Sequence, residues 1–137
     1  MIAKDSNNFS LLDKEWRPGH GWLGVIPGVT SIRDAINGLG GTCETAEMAN
    51  GFSFDFNDGL IRVTTIEQHG TISKLWISGK LANQGVIPST LKAAQNIFSN
   101  LRMIGHDASN ADIYETRGVR LAAASGSDDG DVFWIEF

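Results

Sequence analysis

The chain has 137 residues, 42% of them hydrophobic and 20% charged, with a formal net charge of −5, a composition that suits one ordinary globular domain. No apolar run reaches the roughly 18 residues that a membrane-crossing helix needs, and the single cysteine, Cys43, excludes an internal disulfide and a cysteine-built metal site. Nine acids balance nine bases over residues 1–106, so the negative charge belongs to residues 107–137, where seven acids face Arg117 and Arg120; this argues against nucleic acid as a ligand and fits a basic partner.

Residues 1–24 form a lead-in. The stretch "MIAKDSNNFSLLDKEW" is polar and has no apolar core followed by small residues, so it does not read as a secretory signal, and the expected location is cytoplasmic. In "EWRPGHGWLG", Trp16 and Trp22 are expected to lay their rings over a sheet edge or helix end. A first unit, 25–79, begins with Pro27, after which Thr30 or Ser31 can cap a helix. Val29, Ile32, Ile36 and Leu39 recur at helical spacing, and Gly38, Gly40 and Gly41 end the run. The segment "TCETAEMAN" reads as loose. Three β-like runs follow, 52–56, 60–66 and 72–78, with Asn57-Asp58-Gly59 as a tight turn and His69-Gly70 as a second turn.

Residues 80–85 read as a linker and 86–137 as a second unit. Pro88 precedes the capping pair Ser89-Thr90, and Leu91, Ala94, Ile97, Phe98 and Leu101 form the helical stripe. The β-like runs are 111–115, 119–124 and 132–137. At an offset of 58 positions Arg62 meets Arg120, Trp76 meets Trp134 and Ile77 meets Ile135. The expected fold is therefore α+β: two tandem helix–antiparallel-meander repeats in one compact domain, helices on one face of the sheet and the other face open.

The stretch "PGVTSIRDAINGLGG", a helix opened by Pro/Gly-Thr, closed by Leu-Gly and followed by a meander, resembles one repeat of the β-lactamase-inhibitor-protein-like fold. The outer-membrane assembly lipoprotein BamE carries a related single unit. Two copies over 25–137 resemble the inhibitor's tandem form. The resemblance implies a fold and a non-catalytic style of protein binding.

The residues offer no catalytic constellation. His20, His69 and His106 lack metal-ligand spacing, and the carboxylates form no acid/base pair. "GHGWLG" is a glycine-rich loop without the strand and helix of a phosphate cradle. "SGSDDGD" (125–131) lacks the register of a calcium loop and reads as a polar hairpin loop. No metal or cofactor is expected.

Alternation along the strands places Ile61, Val63, Thr65, Leu75 and Ile77 on the helix side, together with Val119, Leu121, Ala123, Phe133, Ile135 and Phe137. The open side then carries Arg62, Thr64, Lys74 and Trp76, and in the second unit Arg120, Ala122, Trp134 and Glu136. With each hairpin symmetric about its loop, Arg62 lies opposite Trp76 and Arg120 opposite Trp134, in range for cation–π contact. Phe52, Phe54 and Phe56 share one face, either the open one or, with a bulge, the other. The expected partner-binding set is Trp76, Trp134, Arg62, Arg120, Lys74, Phe54, Phe56, Tyr114 and the acidic loop residues Asp128, Asp129 and Asp131. The expected function is an inhibitor or immunity-type protein that neutralises a protein partner. An envelope or assembly module and a small-ligand protein are the alternatives.

Overall fold

The structure is a computed structural model and describes residues 21–40, 43–107, 110–125 and 130–137. Helix α1 (Ile32–Leu39) is followed by strands β1 (Cys43–Met48), β2 (Gly51–Phe56), β3 (Ile61–Thr65) and β4 (Ile72–Ser78). A short 3₁₀ helix over Gly79–Gln84 leads to α2 (Leu91–Ile97), then to β5 (Arg102–His106), β6 (Ala111–Thr116), β7 (Val119–Ala124) and β8 (Val132–Glu136). All eight strands join one antiparallel sheet in the order β1-β2-β3-β4-β8-β7-β6-β5. Chain neighbours are thus sheet neighbours, except at the centre, where β4 meets β8.

The expected α+β architecture of two helix–meander repeats, with helices layered on one face, is corrected. A single eight-stranded sheet dominates, and α-helix is confined to segments of eight and seven residues. Two segments account for most of the difference. "CETAEM", which reads as loose chain, and "RMIGH", which lies past the end of the helical stripe at Leu101 and announces no element, are strands at the two edges of the sheet. An edge strand exposed on most of its length carries no apolar alternation to announce it. The second helix also stops sooner than its stripe suggests. Phe98 already has extended backbone and Asn100 sits at φ 63°, so Leu101 leaves the helix and leads into β5.

The local rules explain the elements that were expected. Ser31 caps α1 by accepting from the Asp34 amide, and Thr90 caps α2 by accepting from the Ala93 amide, each satisfying one orphan donor of a helix start. Asn57, Asp58 and Gly59 all have positive φ and make the tight turn from β2 to β3. Val29 is the exception on the α1 stripe: it precedes the helix and is 71% exposed.

The core lies against one face of the sheet. Val63, Leu75, Ile77, Leu121 and Ile135 are fully buried there with Ile32 and Ala35 of α1 and Leu91, Ala94 and Ile97 of α2. Trp22 belongs to this core rather than to a sheet edge. It is 1% exposed, stacks on Phe137 at 5.3 Å and meets Phe98 at 5.8 Å. Its indole Nε1 donates to the Val86 carbonyl at 2.7 Å, the polar partner that a buried indole requires. Gly21 makes this possible, since a Cβ there would lie 2.0 Å from the Val25 carbonyl oxygen. None of the described helices is long and apolar enough to cross a membrane.

Candidate functional site

The face of the sheet away from the core is built by the residues that alternate with the buried ones. Directly opposed residues on neighbouring antiparallel strands point the same way. The register therefore draws one continuous row across all eight strands: Glu44, Asp55, Arg62, Trp76, Glu136, Arg120, Glu115 and Arg102. Seven of the eight are charged, and Trp76 interrupts them at the centre. A second row passes through Ser78, Trp134, Ala122 and Ile113; Ser78 and Ala122 are buried, so Trp134 is the large side chain that this row brings toward the surface between them. Trp76 and Trp134 thus share the open face on the two central strands, each partly exposed.

Arg62 lies directly opposite Trp76, as hairpin symmetry predicts. Its guanidinium, however, turns to the other neighbouring strand and holds Asp55 with two bonds, Nε to Oδ1 at 2.6 Å and Nη2 to Oδ2 at 3.0 Å. That bidentate hydrogen bond raises the arginine's pKa; partial burial opposes the rise, and the charge of Asp55 adds to it. The expected Arg120–Trp134 pair does not form. Arg120 lies opposite Glu136, and Trp134 opposite Ala122. The β7–β8 hairpin is centred one residue later than assumed, with a register shift between Ala122 and Ala123. Arg120 donates instead to Glu115, at 2.7 and 3.1 Å. Each half of the sheet therefore carries a cross-strand arginine–carboxylate pair on this face.

The other expected site residues separate. Lys74 is exposed on the open face beside Trp76. Phe54 and Phe56 are buried in the core, paired with Val63 and Ile61, and Tyr114 packs against the core opposite Leu121; all three leave the open face. Phe133, expected inside, is 44% exposed, because the register shift puts Val132 in the inward position opposite Ala123. Asp128 and Asp129 lie outside the described residues. Asp131 is exposed and bridges to Thr90 at the start of α2. Asp112, also in the acidic tail, is 6% exposed and accepts from Ser125 Oγ at 2.9 Å, with His106 Nδ1 at 2.6 Å.

Two hollows follow the open face. One of about 400 Å³ holds Arg62, Lys74 and Trp76 with Met48. It adjoins a larger depression of about 870 Å³, with which it shares Ser73, Lys74 and Glu136, and which extends over Arg120, Glu115, Arg102 and Arg117. Arg102 and Arg117 were not singled out by the sequence. Arg102 lies in a segment past the end of the helical stripe that announces no element, and Arg117 in a turn between two strands. Among the described residues, no group of three or more His, Cys, Asp or Glu side chains could hold a metal ion. Comparison of the chain with protein-family models, curated proteins and solved structures finds no match.

Proposed function

We infer that the protein is a non-catalytic binding module that engages a protein partner through the open face of its sheet, in the manner of an inhibitor or immunity protein. The observation that carries this reading is the placement of Trp76 and Trp134 on the two central strands, both partly exposed on the face away from the core. Tryptophan and arginine at the centre of a patch are the residues that most often anchor protein interfaces. The rows around them supply a polar rim with two guanidinium–carboxylate pairs already formed, which fixes side chains before a partner arrives and lowers the ordering cost of association. The rigid backbone of a central sheet suits a surface that must keep its shape.

The test is a paired capture from lysate of the source organism, with the intact chain and the Trp76→Ala/Trp134→Ala variant as baits. The reading expects a protein held by the first and absent from the second. A protein held equally by both would overturn it.

A further inference from the structure

We propose that the larger depression of the open face receives an acidic segment of the partner protein, a proposal that rests on the binding role of this face. The chain as a whole carries a net charge of −5, yet the depression gathers Lys74, Arg102, Arg117 and Arg120 against Glu115 and Glu136. Four bases against two acids make this surface basic within an acidic molecule. Of the four, Arg120 is neutralised by Glu115 at 2.7 Å. Lys74, Arg102 and Arg117 form no ion pair among the described residues. Arg102 lies directly opposite Glu115, but that carboxylate is already committed to Arg120.

Exposed to water, three such cations cost nothing. Covered by a partner they would lose hydration, and an apolar or basic surface would leave them without compensation. Carboxylates brought by the partner satisfy them, and Trp76 stands beside the depression, across Lys74, as its apolar anchor. Nucleic acid fits less well. A nucleic acid strand carries a charge at every phosphate and would lay it over Glu136, Glu115, Asp55 and Glu44 as well as over the cations, whereas a short acidic segment of a protein places carboxylates over the cations alone. The acidic tail, which on sequence grounds favours a basic partner, does not build a comparable surface among the described residues. Asp112 is buried against His106 and Ser125, and Glu115 is paired with Arg120.

The experiment measures binding of a labelled oligo-glutamate peptide, an oligo-lysine peptide of equal length and a single-stranded oligonucleotide, at low and at physiological salt. The intact chain is compared with Lys74→Glu/Arg117→Glu and with the milder Lys74→Gln/Arg117→Gln; thermal unfolding checks that each is folded. The expected result is that oligo-glutamate binds best, weakens with salt, and loses at least about tenfold in affinity on charge reversal, with a smaller loss for the glutamine variant. Tighter binding of oligo-lysine or of the oligonucleotide, no oligo-glutamate binding, or binding unchanged in both variants would overturn the proposal. The tryptophan variant separates this failure from that of the underlying reading. If it loses a captured partner while the charge variants keep that partner, the face stands and the acidic segment falls. If neither variant loses the partner, both fall.

Discussion

Trp76 faces Glu136 and Trp134 faces Ser78 across the β4–β8 ladder, so the two indoles stand diagonally about the buried pair Ile77 and Ile135 at the middle of the sheet. The diagonal separation of such positions, roughly 7–8 Å between backbones, lies within reach of aromatic side chains. The junction that joins the first four strands to the last four therefore also brings together the two largest side chains of the open face. On their other sides lie Arg62 and Ala122, which leaves the tryptophans as the apolar centre of a largely charged surface.

The Arg62–Asp55 pair should contribute little to stability despite its geometry. Asp55→Asn is expected to cost less than about 1 kcal/mol, because the arginine is largely exposed and solvent screens the pair. The arginine's pKa is raised in the folded protein. A base with a raised folded pKa contributes its stability fully below the unfolded value and loses it as pH rises through the folded one. For arginine that window is strongly alkaline, so the difference between wild type and variant should stay flat from neutral pH to about pH 9. Urea unfolding across that range measures it, and a difference that changes by more than the fitting error contradicts the assignment.

Trp22→Ala should be far more damaging. The ring is buried and packed on Phe137 and Phe98, so its loss is expected to cost about 3–5 kcal/mol. Trp22→Phe keeps most of the packing but removes the donor to the Val86 carbonyl, and should cost about 1–3 kcal/mol. Equilibrium unfolding of the two variants checks the order. Equal costs would mean that the packing of the ring carries none of the effect.

Gly79 is fixed by close approach rather than by a special backbone angle. A Cβ at this position would lie 2.1 Å from the Val132 carbonyl oxygen and 2.8 Å from that of Phe133. Gly79→Ala is expected to push the start of the 3₁₀ helix away from β8 and to destabilise by about 1–3 kcal/mol. Gly24→Ala gives a comparison: it meets no neighbour within 4 Å, but its φ of 80° is unfavourable for alanine, so its cost, about 1 kcal/mol, comes from the backbone alone. Thermal unfolding distinguishes them, and an unperturbed Gly79 variant would contradict the packing.

The sequence disclosed what alternation and turn chemistry control. Asn57-Asp58-Gly59 placed the β2–β3 turn, and the β3–β4 hairpin set Arg62 opposite Trp76 in the register observed. Phe54 and Phe56 were ambiguous on their own strand; their pairing with Val63 and Ile61 decides the matter, because a buried face must be apolar on both partners. The register of the second hairpin is not legible in the sequence, because a Gly/Ser/Asp loop fixes no residue count and two residues of slip exchange Trp134 for Glu136 opposite Arg120. The edge strands have almost no buried face to announce them. Without β5 nothing in the sequence sets Arg102 beside Glu115, so the basic depression is a property of the fold.

The most direct test of the binding face joins two measurements on one protein, Trp76→Ala/Trp134→Ala: thermal unfolding, and titration against the partner recovered by capture. Both rings are partly exposed, so truncation should cost no more than about 2 kcal/mol of stability per ring, while affinity should fall by at least about 2 kcal/mol, roughly thirtyfold, as for central aromatic anchors. A folded double variant that binds the partner at full affinity would contradict the account.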